Sequence, residues 1–111
     1  MKSRRNRDAK KLTCATTILI NINPELLPHT TSYISRKLQE IPGLLQAAAE
    51  ADYKRLRHYG HALKGSGGAY GLPQLSIIGA KIETAAISSD LKTAREQILE
   101  METFLRSVRL E

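Results

Sequence analysis

His61-Ala62-Leu63-Lys64-Gly65-Ser66-Gly67-Gly68-Ala69-Tyr70-Gly71 decides how this chain of 111 residues folds. Just upstream stand Leu56, Tyr59 and Gly60, and together with Leu63, Gly67 and Tyr70 they recur at three- and four-residue steps. That spacing gathers an apolar and small-residue stripe along one face of an α-helix, in spite of the glycines. On a helix advancing about 100° per residue, Leu63 and Tyr70 fall roughly 160–180° from His61, whereas Arg57, Lys64, Gly65 and Gly68 fall within about 60° of it. The stripe therefore faces a core and His61 faces water. On that outer wall Lys64 offers a point charge for a phosphoryl oxygen, and Gly65, lacking a Cβ, leaves room for a bulky visitor beside the imidazole.

Outward from this helix the chain reads as more helices. Asp52 is its expected N-cap, and it should run to about Ala69 or Tyr70 and stop at Gly71. Pro73 then opens a helix whose Leu75, Ile78, Ile82 and Ala85 follow the 3-4-3 seam of a left-handed bundle. Asp90 caps a further helix carrying Leu91, Ala94, Ile98, Met101, Leu105 and Val108 at the same alternation. On the N-terminal side, Asn23-Pro24-Glu25 is a helix-start signal, and Pro28 offers a second start. Tyr33, Ile34, Leu38, Ile41, Leu45 and Ala48 keep helical spacing from there to Glu50, with Pro42-Gly43 predicting a kink or a broken pair of helices. The β-branched run from Thr16 to Ile22 is a short extended lead-in with no evident partner strand. The expectation is an all-α protein, an antiparallel four-helix bundle preceded by a short N-terminal helix or extended lead-in.

One domain fits the length. The net charge of +6 is concentrated at the front: residues 1–12 hold Lys2, Arg4, Arg5, Arg7, Lys10 and Lys11 against Asp8, a net +5, which leaves +1 for the rest. Residues 1–15 are accordingly read as a basic, disordered tail and 16–111 as the bundle domain, with nucleic-acid or membrane-surface contact the secondary reading of the tail. The head lacks the apolar core of a secretory signal, and no run is long and apolar enough to cross a bilayer, so a cytoplasmic protein is expected. The single Cys14 has no disulfide or zinc partner and is read as incidental.

The segment His61-Ala-Leu-Lys64-Gly65-Ser-Gly-Gly-Ala-Tyr-Gly71, followed by Ile82-Glu83, resembles the histidine-containing phosphotransfer (HPt) domains of bacterial phosphorelays. Their pattern is His, any residue, a hydrophobic residue, Lys, Gly, a small-residue run, a further Gly, and a Leu- or Ile-Glu pair on the next helix. The likeness extends over roughly residues 18–108. It implies His61 as phosphoacceptor, Lys64 as the phosphate-contacting cation and Gly65 as the gap that grants access. Glu83 carries two readings: the residue that orients the imidazole through Nδ1, or a solvated helix charge beside Lys81. Gly60 departs from the alanine that often precedes the histidine, and Pro42-Gly43 interrupts the second helix.

By the same resemblance the partners are a receiver domain of a response regulator or hybrid kinase, and a histidine kinase. The receiver brings Mg²⁺ and its own acidic pocket; this chain needs no cofactor or metal and works as a monomer. Arg57, His58, Ala62, Lys64, Gly68 and Ala69 are the expected docking residues around His61. No Walker loop is present, and Tyr70 stands where Gly-x-Gly-x-x-Gly, counted from Gly65, would need its last glycine, so nucleotide binding and autokinase activity are not expected. His58 reads as a surface residue or an assistant to His61, His29 as structural or neutral, and Ser66 as a small residue for helix packing or ligand clearance rather than a nucleophile. Two other classes stay open: a binding module that keeps this fold but docks on a receiver or kinase without transfer, and a DNA-associated helical protein led by its basic head.

Overall fold

In the structure, a computed structural model describing residues 17–110, the chain forms β1 (Ile18–Ile20), α1 (Leu27–Ala49), α2 (Tyr53–Ser66), α3 (Pro73–Ile87), α4 (Leu91–Ser107) and β2 (Val108–Leu110). A single 3-10 turn, Gly68–Tyr70, lies between α2 and α3. The four helices make the expected all-α bundle: α2 packs most extensively on α3, α3 on α4, and α1 closes the ring against α4 and α2. The basic stretch 1–12, Cys14 and the proposed tail boundary at residue 15 lie outside the described residues.

The anticipated seams are the core. Leu75, Ile78, Ile82 and Ala85 of α3 are buried, as are Ala94, Ile98, Met101 and Leu105 of α4 and Leu56 and Leu63 of α2. Helix ends follow their caps: the Asp52 carboxylate accepts the Arg55 N–H at 3.2 Å and the Asp90 carboxylate accepts the Thr93 N–H at 3.1 Å. Pro73 occupies the first turn of α3. Behind both aspartates the preceding helix closes the same way. The N–H of residue 52 reaches the Ala47 carbonyl, that of residue 90 reaches the Ala85 carbonyl, and Ala51 and Ser89 take left-handed backbone angles in between (φ 54° and 56°).

Four expectations need correction. Pro42-Gly43 does not split the helix: α1 is one unbroken helix of 23 residues with Pro42 inside it. Proline removes one hydrogen bond, but Ile41, Leu44, Ala47 and Ala48 are buried on both sides of the exposed Pro42 and carry the helix across. At the front, the Asn23 side chain accepts the Glu25 N–H and its carbonyl accepts those of Leu26 and Leu27. This is a turn, and regular helix begins only at Leu27, so the second start at Pro28 is the one used. Helix α2 ends at Ser66, earlier than expected, and tightens into the 3-10 turn before stopping at Gly71, which has a left-handed φ of 81°.

The extended lead-in, finally, does have a partner. Val108 is buried as anticipated but leaves the helix (φ −74°, ψ 139°), and Val108–Leu110 pairs in parallel with Ile18–Ile20, Ile18 opposite Val108. The two strands tie opposite ends of the described chain together over the bundle.

Candidate functional site

The site exists because α2 and α3 touch backbone to backbone. A Cβ on Gly60 would lie 2.6 Å from the Glu83 nitrogen and 2.7 Å from the Gly79 carbonyl oxygen. One on Gly79 would lie 2.5 Å from the Lys64 nitrogen and 2.8 Å from the Gly60 oxygen, and one on Gly67 would meet the Ser76 nitrogen at 2.6 Å. Only glycine lets two helix backbones approach this closely. Gly60, where the resembling domains often carry alanine, thus has a physical reason here: it faces Gly79, one turn before Glu83.

This contact delivers Glu83 across the groove to the outer wall of α2. Its two carboxylate oxygens divide between two partners: Oε2 lies 2.9 Å from the Nδ1 atom of His61, and Oε1 lies 2.9 Å from the Lys64 ammonium. The Glu83 side chain is mostly covered, at 18% exposure, whereas that of His61 is 70% exposed. The Lys64 hydrogen bond holds the Glu83 carboxyl below the usual carboxylate range, the His61 contact adding to it and partial burial opposing it. An ionised carboxylate can only accept hydrogen bonds, so the proton in this contact sits on Nδ1 of His61. In the neutral ring that leaves the lone pair on Nε2, the nitrogen away from Glu83. Of the two readings that the sequence leaves for Glu83, the first requires a contact with Nδ1, and that contact is present.

The remaining residues of the outer wall fall into place around this pair. A Cβ on Gly65 would meet nothing within 4 Å, so the space beside His61 and Lys64 is open. Arg57, His58, His61 and Glu83 line one shallow depression. Ala62 is exposed on α2, and Gly68 and Ala69 are exposed on the 3-10 turn, where the regular helical projection no longer applies; the Gly68 N–H donates to the Ser76 hydroxyl at 2.8 Å. His29 lies exposed in the first turn of α1 and lines neither this depression nor the Glu83 contacts.

What the sequence did not reveal is how α1 braces α2 from behind. The Tyr33 hydroxyl hydrogen-bonds the Ser66 hydroxyl at 2.6 Å, the Tyr33 ring stacks on Tyr70 with centroids 4.1 Å apart, and the Thr30 hydroxyl donates to the Tyr70 carbonyl at 2.7 Å. Two turns further along, the Tyr59 hydroxyl donates to Glu40 at 2.6 Å, and the Lys37 ammonium pairs with the same carboxylate at 3.1 Å. Burial, with the Glu40 contact, pushes the Tyr59 phenol far up, so it stays a donor. Ser66 is thereby accounted for as a packing and hydrogen-bonding residue. The three- and four-residue spacing flags Tyr59 and Tyr70 as inward-facing, but nothing local in the sequence names their partners on α1.

The sequence model of the Hpt domain matches residues 32–110. This chain belongs to the Hpt domain family. The Hpt match begins within α1 and takes in all of α2, α3 and α4, so Arg57, His61, Lys64, Gly65 and Glu83 lie inside it. Hpt domains are phosphotransfer modules, carriers rather than enzymes. No curated protein and no solved structure matches the chain significantly. Among the described residues, no helix of this Hpt domain is long and apolar enough to cross a membrane.

Proposed function

We propose that this chain is a histidine phosphotransfer protein of a two-component phosphorelay, taking a phosphoryl group on His61 from a receiver aspartate or a kinase and passing it to another receiver. The observation that carries the reading is a water-exposed imidazole whose Nδ1–H is engaged by an ionised Glu83, leaving the Nε2 lone pair of an exposed ring free to react. The Nε2 lone pair forms the N–P bond while the P–O bond of the acyl phosphate breaks and its electron pair leaves on the aspartate carboxylate. The ring keeps its Nδ1 proton and becomes cationic. Glu83 then faces that cation, which stabilises the product without any proton transfer. Return of the group to a second receiver reverses each step. Phosphoryl transfer asks mainly for positioning and charge neutralisation, which suits a site with no catalytic base.

Lys64 offers its ammonium to the phosphoryl oxygens from one turn away, and Gly65 gives the incoming receiver clearance. Arg57, His58, Ala62, Gly68 and Ala69 form the docking rim, the receiver contributing Mg²⁺ and its acidic pocket. The proposed setting is the cytoplasm, with this chain acting as a monomer.

Replacing Glu83 with alanine removes the acceptor on Nδ1 and the Lys64 partner together. Loss of such an outer hydrogen-bond partner of a functional histidine typically costs about 10- to 100-fold, and a loss of about 10-fold in the rate of transfer from a phosphorylated receiver is expected. The fold should survive, since Glu83 contributes no core packing; circular dichroism and stopped transfer assays check both halves. Wild-type rates in the Glu83→Ala protein would remove Glu83 from the mechanism. Mixing the protein with a labelled phospho-receiver tests the reading as a whole: a relay protein gains label, whereas the alternative, a docking module of the same fold, binds the receiver and gains none.

A further inference from the structure

Resting on the relay reading, the charges around His61 leave a shortfall that one residue is placed to meet. A phosphoryl group on Nε2 brings about two negative charges to the surface of α2. The nearest cation, Lys64, is already paired with Glu83 at 2.9 Å and these two charges cancel, so the cationic ring offsets only one of the two negative charges. Arg57 lies four residues before His61, one helical turn away on the same wall. It lines the same depression as His58, His61 and Glu83. Among the described residues it is exposed and has neither an ion-pair nor a hydrogen-bond partner.

We propose that Arg57 is a second phosphoryl-binding residue of the phosphorylated protein, its guanidinium taking the phosphoryl oxygens of phospho-His61 from the side opposite Lys64. A guanidinium is suited to this because its planar fork can bond two phosphoryl oxygens at once, and because it stays charged at every pH at which the relay works. Lys64 and Arg57 flank His61 along the helix, one turn after it and one turn before it, so the group is held between two cations while Glu83 stays on the ring. Arg57 thereby acts on the phosphoryl group itself, beyond any part in docking.

The test separates these roles by dispensing with the receiver. Wild type, Arg57→Gln, Arg57→Lys and Lys64→Gln are phosphorylated with phosphoramidate, a small-molecule donor, and the phosphohistidine resonance is followed by ³¹P NMR against pH. A cation touching the phosphoryl oxygens favours the more highly charged form and lowers the pH at which its last proton leaves. The other titrating groups facing this point, the phosphohistidine ring itself, His58, Lys64 and Glu83, are present in both Arg57 variants, so the comparison isolates residue 57. The expected result is a midpoint about 0.5 pH unit higher in Arg57→Gln than in wild type, with Arg57→Lys in between. An unchanged midpoint in Arg57→Gln, with the whole shift appearing in Lys64→Gln, overturns the assignment. A wild-type protein that gives no phosphohistidine signal overturns it together with the relay reading on which it rests.

Discussion

His61→Gln is expected to fold like the wild type and to take up no phosphoryl group from a phosphorylated receiver. The side chain is 70% exposed and contributes nothing to the core. Its loss removes one surface hydrogen bond, and Glu83 keeps Lys64 as a partner. Surface substitutions of this kind usually change stability by less than about 0.5 kcal/mol. Transfer, in contrast, should be abolished, since glutamine has no ring nitrogen able to form the N–P bond, and neither His58 nor Ser66 has a comparable setting. Gel autoradiography after mixing with labelled receiver reads the effect directly. Label that is acid-labile and alkali-stable should appear in wild type alone, and ATP without a kinase should label neither protein. Label persisting in the His61→Gln protein would place the acceptor elsewhere.

Gly79→Ala is expected to damage both the fold and the site, although it lies on a different helix from His61. Its new methyl group would have to displace the Lys64 and Gly60 backbones, 2.5 and 2.8 Å away, and backbone cannot rotate aside as a side-chain end can. Overpacking of this kind costs about 1–3 kcal/mol and sometimes more. Alanine's better helix propensity returns at most about 1 kcal/mol. A net loss of about 2 kcal/mol should lower the melting temperature by roughly 8–16 °C in a domain of this size. The helices can relieve the clash only by parting, which draws Glu83, one turn further along α3, away from His61 and Lys64, so the transfer rate of the folded fraction should fall as well.

Gly65→Ala is the control that makes this informative. Its Cβ meets nothing within 4 Å. It should leave stability equal or higher by up to about 1 kcal/mol, and slow transfer by filling the space a receiver needs. Thermal melts and transfer rates on the two variants separate the glycine that builds the site from the glycine that leaves it open. Equal stability of Gly79→Ala and wild type would contradict the close-approach account.

Helical spacing puts Gly60 and Gly67 on the inner stripe and Gly65 on the outer wall, and the structure shows Gly60, Gly67 and Gly79 at close backbone approaches while Gly65 faces open space. Spacing reveals which side of α2 carries His61, Lys64 and Gly65, because a single helix has a fixed angular repeat. It also reveals the seams of α3 and α4 and the caps at Asp52 and Asp90. It cannot set the distance between two helices, which decides whether Glu83 is a solvated charge or the partner of His61. The same reason hid the Tyr33–Ser66 and Tyr59–Glu40 braces, since both join helices through residues far apart in the chain. Pairing of β1 with β2 was illegible because the Val108-Arg109-Leu110 that ends an amphipathic helix carries the same signal whether it continues the helix or leaves it. Pro42 misled for a related reason: the local rule is sound, but buried neighbours on both sides outweigh it.

The most direct test of the central claim is the position of the phosphorus on the ring. Protein labelled with ¹⁵N in its histidines, phosphorylated by a receiver and examined by ¹⁵N and ³¹P NMR, should show the N–P bond at Nε2 of His61, with the proton retained on Nδ1. Phosphorus on Nδ1, or on any residue other than His61, would contradict the arrangement in which Glu83 holds one nitrogen so that the other is left to react.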